Sequence, residues 1–212
     1  MTLAFLAAVG ALALLTVLPG PDFAVVVRWA AAGGSRSGLL ASCGVAVGLL
    51  VWGALTVLGL SALLAASPIA YAVVRYLGAA YLVWMAARLL WRSFHEHGPP
   101  PLETGSPSSA SAGSAAAPFR QGLLTNLLNP KIAAFYVGVL PLLVPHGAPR
   151  ALTLAALVLC HVVLGLIWLG LCSVLVARGS AVLSRPRVRA WLDRVTAVVL
   201  LGFAARLAFD AS

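Results

Sequence analysis

The chain has 212 residues, of which 62% are hydrophobic and 9% charged, with a mean hydropathy of +1.03. A soluble domain carries roughly 25% charged residues, so this composition excludes a soluble enzyme or binding module and calls for an integral membrane protein in contact with lipid. The net charge of +9 comes from 14 basic against 5 acidic residues, but the basic residues stand at the ends of apolar runs. Positive-inside topology accounts for them, and nucleic acid is not expected as a partner.

The first predicted span runs from about Leu3 to Ala32. It lacks a basic n-region and a small-residue cleavage site, so a retained span is expected rather than a signal peptide. Pro19-Gly20-Pro21-Asp22 interrupts it. Two prolines flanking a glycine remove backbone donors and cannot continue a regular helix. Pro21 suits the first position of a new helix, with Asp22 in its first turn, where the helix dipole favours an anion. Non-helical backbone persists in a membrane only where it is packed in protein or lines a water-filled cavity. The break is therefore a candidate site.

A second span is expected from about Ser37 to Leu64, and Ser67-Pro68 turns the chain into a third, from about Ile69 to Trp91. Arg88, Trp91 and Arg92 form an aromatic and basic anchor at its end. From His97 to Pro118 the chain is rich in proline, serine, alanine and glycine, has no apolar periodicity, and reads as a flexible linker. The fourth span, about Phe119 to Val144, carries Asn126-Leu127-Leu128-Asn129-Pro130-Lys131 near its centre. Pro145 to Pro149 form a short turn. The fifth span covers about Ala151 to Val176, and the sixth about Trp191 to Phe209. The arginines cluster at the first, third and fifth loops, which makes those loops cytoplasmic and places both termini outside.

Cys43-Gly44-Val45-Ala46-Val47-Gly48-Leu49 in the second span is echoed by Cys160-His161-Val162-Val163-Leu164-Gly165-Leu166 in the fifth. The broken first span likewise matches the broken fourth. Three spans per half is an odd number, so equivalent halves enter the membrane in opposite senses, as in many transporters. The expected fold is an all-α membrane protein of six transmembrane helices, built as two inverted three-helix repeats with broken first and fourth helices. Residues 1–96 form the first repeat, 97–118 a cytoplasmic linker and 119–212 the second repeat.

Asp22 is the one acid well inside a span, and an intramembrane carboxylate is a functional candidate by its cost alone. It can bind a substrate ammonium, take a coupling proton or pair with a cation. Asn129 is expected to cap a helix that starts at Pro130 and carries Lys131 in its first turn. A cation there opposes the helix dipole, so Lys131 needs an anion, either Asp22 or a substrate carboxylate. Asp22 and Lys131 are expected to face each other near the midplane, with substrate competing for their pairing. The alternative is a purely structural ion pair that locks the two breaks together. Asn126 either lines the same cavity or satisfies backbone groups freed by Pro130.

His161 lies mid-span as a proton shuttle or a quietly bonded bundle histidine. Phe23 and Tyr136 are packing residues or substrate contacts. Gly44 and Gly48 form a small-xxx-small pair that signals close helix contact. The three cysteines are expected to be packing residues, with no disulfide and no metal site. No cofactor is called for, and no catalytic motif such as Gly-x-Ser-x-Gly or His-Glu-x-x-His is present.

Pro19-Gly20-Pro21-Asp22 and Asn129-Pro130-Lys131, the latter within Gly122 to Tyr136 and followed by Leu140-Pro141, resemble the LysE superfamily of amino-acid exporters. The nearest resemblance is to its homoserine/threonine efflux branch, and it covers the chain apart from the linker. It implies a six-span protein of the bacterial inner membrane that exports amino acids or close derivatives, driven by the proton gradient. Pro19, Gly20, Pro21, Asp22, Asn126, Asn129, Pro130 and Lys131 would form its substrate and coupling site. A cation or small-solute exporter or channel of the same superfamily is the alternative, and a homo-oligomer is compatible with either.

Overall fold

The computed structural model describes residues 2–95, 115–145, 147–179 and 186–209, and every regular element among them is helical. Helix α1 spans Thr2–Val17, α2 Pro21–Ala66, α3 Pro68–His95, α4 Ala116–Leu127, α5 Pro130–Ala134, α6 Arg150–Ala177 and α7 Pro186–Phe209. After α5 the chain continues as a π turn, Phe135–Val139, and a 3-10 turn, Leu140–Leu143. The expected linker lies outside the described residues as far as position 114.

Both expected breaks are present. The chain leaves helical geometry between α1 and α2 and again between α4 and α5, and each new helix starts on a proline. That is where a missing N–H costs nothing, because the first amides of a helix have no intrahelical acceptor. Ser67 separates α2 from α3, as Ser67-Pro68 predicts. At the 145–149 turn the amide of Ala148 donates to Pro145 O at 3.1 Å, and Gly147 takes φ 77°.

The expected boundary between Ala32 and Ser37 is a kink within α2, where Gly33 and Gly34 leave helical geometry between two helical stretches. Gly34, at φ 73°, occupies the left-handed region that glycine enters without steric cost. Two other boundaries differ from expectation. Helix α4 begins at Ala116, inside the expected linker, because two alanines and a proline in the first turn are compatible with a helix start. Helix α7 begins at Pro186, five residues before Trp191, again with proline leading.

By length and composition, Pro21–Gly59 and Arg150–Ala177 are each able to cross a membrane. Ala116–Leu127 and Pro130–Leu143, bent by 46°, make a third if they count as one span. Thr2–Val17 and Arg194–Ala205 are apolar but shorter. Leu58, Leu77, Ile167 and Val198 are exposed on the outer faces of these helices, which suits lipid rather than water as solvent. The chain is an all-helical membrane protein.

Helix α2 packs against α4 and α6, α3 against α7, and α1 against α6. At the α3–α7 seam the Arg194 guanidinium lies over the Phe94 ring, 4.7 Å from its centroid. The α2–α4 crossing is closest at glycines. A Cβ on Gly44 would strike the carbonyl of Phe119, one on Gly122 the carbonyl of Ala41, and one on Gly48 the side chain of Asn126. The Gly44/Gly48 spacing thus marks a helix contact, as small residues do in membranes. Gly44→Ala should cost about 1–3 kcal/mol, because the obstructing atom is backbone and α4 must shift. Gly59→Ala and Gly202→Ala, where nothing lies within 4 Å, should leave the Tm in detergent unchanged or raised. Equal melting of all three variants would show that α2 and α4 are less tightly crossed than described.

The cysteines divide. Cys172 is buried, Cys160 half-buried and Cys43 exposed, and all three thiols are free. Cys43 therefore departs from the expected packing role, because its face of α2 points away from the core. The apolar core falls into two groups. Leu12, Leu15, Leu18, Leu49, Ile132, Tyr136, Leu157 and Leu200 belong to one, and Val25, Val26, Trp29, Ala41, Val45 and Leu169 to the other.

Candidate functional site

The two breaks are built alike and meet. At the first, the Gly20 carbonyl accepts from Ala24 N at 3.0 Å, so Gly20 is the residue on which α2 starts. At the second, Asn129 is extended (φ −77°, ψ 105°), and its Oδ1 accepts from Lys131 N at 3.1 Å. The Asn129 carbonyl accepts from Ala133 N at 3.0 Å. Asn129 is the cap, Pro130 the first helical residue and Lys131 the second, as the local chemistry of these residue types predicts.

Asp22 reaches from the first break to the second. Its Oδ2 accepts from Asn126 Nδ2 at 2.9 Å and from Asn129 Nδ2 at 3.1 Å. Asn129 thus uses both ends of its amide, one to start α5 and one to hold the acid of the first break. Lys131 reaches back the opposite way, its Nζ donating to Leu18 O at 3.3 Å. That carbonyl closes α1, where the helix dipole stabilises a cation. This offsets the unfavourable position of Lys131 at the start of its own helix. The expected partner was an anion, and the one found is a carbonyl.

Asp22 and Lys131 act on one another electrostatically, but no direct ion pair within 4.0 Å joins them among the described residues. Amide donors, rather than a salt bridge, tie the acid to the second break. Asn126, Asn129 and Lys131 are 0%, 1% and 6% exposed. Trp52 Nε1 donates to the Asn126 carbonyl at 3.4 Å and steadies the end of α4.

Two buried atoms of this cluster, Asp22 Oδ1 and Asn126 Oδ1, have no hydrogen-bond partner among the described protein residues. A buried carboxylate oxygen without a donor is costly, so it is a ready acceptor for an incoming N–H. The cluster opens onto a cavity of about 30 Å³ whose polar wall includes Asp22, Lys131, Thr16 and His161. Its apolar wall takes Leu15, Leu18, Leu49 and Ile132 from one core group and Val45 and Leu169 from the other, with Phe23 and Gly165 beside them. A water needs roughly 10–15 Å³ of such space, so this conformation admits a couple of waters and must widen to take anything larger.

The remaining expected residues divide by position. Pro19, Pro21 and Pro130 shape backbone, while Gly20 and Phe23 line the cavity. A Cβ on Gly20 would come within 2.9 Å of Lys131 Nζ, so glycine is needed for the lysine to lie across the first break. His161 lines the cavity, and Tyr136 stands behind it, with the hydroxyl 3.1 Å from His161 Nδ1 and the rings stacked at 5.7 Å. Tyr136 belongs to the π turn, and its carbonyl accepts from Thr56 Oγ1 at 3.3 Å. Pro141 accounts for that irregular stretch, because it has no N–H to return to the preceding turn. Sequence reasoning missed Trp52, Thr16 and the Leu18 carbonyl. Leu49 and Gly165 were visible only as members of the internal echo. Among the described residues no three of His, Cys, Asp and Glu come together in a metal-binding group.

Residues 13–211 match the LysE type translocator family. A leucine efflux protein of Klebsiella pneumoniae subsp. pneumoniae is 32% identical over 212 residues, covering 94% of this chain and 92% of its own. A leucine efflux protein of Salmonella choleraesuis is 30% identical over 206 residues, with 92% and 89% covered. The uncharacterized membrane protein YrhP of Bacillus subtilis is 25% identical over 192 residues, with 90% and 91% covered. No solved structure is a significant match. With two broken helices crossed at a half-buried acid and a buried lysine, and a match over nearly its whole length, the chain belongs to the LysE type translocator family and is a membrane transporter rather than an enzyme.

Proposed function

We propose that this transporter exports α-amino acids with apolar side chains across the bacterial cytoplasmic membrane. The substrate is held as a zwitterion, with its ammonium on Asp22 and its carboxylate on Lys131. The observation that carries this reading is the unpartnered Asp22 Oδ1, buried on the same small cavity as Lys131. One end of the cavity lacks a protein donor among the described residues, and the other holds a cation that is hydrogen-bonded there to a neutral carbonyl. A zwitterion supplies both missing partners. The apolar remainder of the wall, and relatives named as leucine efflux proteins, favour leucine-like cargo over homoserine or threonine. Asp22 can carry either the substrate ammonium or a proton in turn, and that exchange couples export to the proton gradient.

Six spans in two inverted repeats accommodate the site. As one straight helix, α2 would extend about 69 Å at 1.5 Å per residue, more than twice a hydrocarbon core of about 30 Å. The Gly33-Gly34 interruption is where one crossing ends and the next begins. The broken first helix (α1 with 21–32) then packs on α6 of the second half, α4 packs on α2 of the first, and α3 packs on its counterpart α7. Such reciprocal packing supports inverted repeats around a central site. Arginine placement supports a cytoplasmic Gly33-Gly34 turn and external termini.

The test is efflux from proteoliposomes loaded with labelled leucine under an imposed pH gradient. Saturable uphill movement is expected. Leucinamide, which lacks the carboxylate, and N-acetylleucine, which lacks the ammonium, should each compete roughly 100-fold more weakly than leucine. Leucine movement no faster than from protein-free vesicles would end the proposal, as would undiminished competition by both analogues.

A further inference from the structure

Glycine inside a helix is unfavourable relative to alanine, so an interior glycine needs a reason. Gly44, Gly48, Gly53 and Gly122 have one, because neighbouring backbone or side-chain atoms occupy the place of a Cβ. Gly165 has no such reason. It is buried within α6, yet the nearest atom to a Cβ there is Leu49 Cδ1 at 3.6 Å, an ordinary contact. Packing does not demand glycine at this position.

The internal echo sharpens the contrast. Gly48 and Gly165 are equivalent in the repeats Cys43–Leu49 and Cys160–Leu166. The space beside Gly48 is filled by the Asn126 side chain, whereas the space beside Gly165 belongs to the cavity. His161, Gly165 and Leu169 follow at intervals of four, so they share one face of α6, and all three line that cavity. Leu49 faces Gly165, the cavity's further walls include apolar Val45 and Phe23, and Asp22 and Lys131 supply its charges.

We propose that Gly165 determines side-chain specificity: the volume it leaves open, walled on the far side by Leu49, receives the aliphatic side chain of the exported amino acid when the cavity widens. The assignment rests on the zwitterion site proposed above and adds the size class, an aliphatic chain of about leucine's bulk. A side chain grown at residue 165 competes for the same volume. A side chain trimmed at Leu49 returns it.

The experiment measures exchange of alanine, leucine and phenylalanine in proteoliposomes containing wild type, Gly165→Ala, Gly165→Val, Leu49→Ala or Gly165→Val/Leu49→Ala. Gly165→Ala should lower the leucine-to-alanine ratio by about tenfold, and Gly165→Val by more, the scale of one methylene in an apolar pocket. Leu49→Ala should raise phenylalanine relative to leucine, and the double variant should regain leucine exchange. If Gly165→Val does not fold, Gly165→Ala, for which there is room, carries the test. An unchanged ratio in Gly165→Ala, or equal loss of alanine and leucine, overturns the role of Gly165 and leaves the zwitterion site standing. Wild type that exchanges neither amino acid overturns both.

Discussion

Replacing Asp22 by asparagine should lower leucine exchange by roughly 100-fold or more, the range found when one member of a buried charge pair is removed. The fold should survive. An asparagine at this position still offers an oxygen to Asn126 Nδ2 and Asn129 Nδ2, which hold the native carboxylate at 2.9 and 3.1 Å. What disappears is the negative charge and the second oxygen, Oδ1, that has no protein partner. An ammonium then meets a neutral amide whose NH₂ group repels it. The imposed pH gradient should also cease to accelerate efflux, because the only intramembrane group proposed to alternate between cargo and proton is gone. Detergent-stable Asp22→Asn protein with full exchange would assign the acid a purely architectural part.

Lys131→Met is expected to reduce leucine exchange on a similar scale, roughly 100-fold, with a diagnostic that a folding defect does not mimic. Methionine has comparable length and suits a site that is 6% exposed. Wild type should favour leucine over leucinamide, which has no carboxylate for the lysine to hold. In Lys131→Met that preference should collapse towards equality, since the group proposed to read the carboxylate is absent. Parallel loss of both substrates, with the preference intact, would mean that Lys131 serves the protein through the Leu18 carbonyl, to which it donates at 3.3 Å. A lower Tm is expected in either case, because the end of α1 loses its donor.

The crossed arrangement explains why so costly a pair of charges is tolerated. Each lies at a helix end, at the other break, that suits its sign. Asp22 is held by the cap residue of α5, and Lys131 lies on the Leu18 carbonyl, just past the end of α1. Neither charge neutralises the other by contact, which under the proposed mechanism leaves each available to an opposite charge brought in from solution. A direct salt bridge would have to be broken before cargo could bind.

Much of this was legible from one strand of letters, and for local reasons. Pro19-Gly20-Pro21 and Asn129-Pro130 stop and start helices through missing donors and capping chemistry that act within a few residues. Asp22 and Lys131 stand out because a charge within an apolar run is expensive wherever the run packs. The Gly44/Gly48 pair announced a helix contact by its spacing. The partners were beyond reach. Asp22 and Asn126 are 104 positions apart, and only the α2–α4 crossing, set by which glycines admit a neighbour, brings them within a hydrogen bond. The Leu18 carbonyl as the rest for Lys131, and the placing of Tyr136 behind His161, depend likewise on tertiary packing. Above all, Gly48 and Gly165 read identically in the repeats. One is filled and the other is open because side chains from another part of the chain occupy space at the first and not at the second.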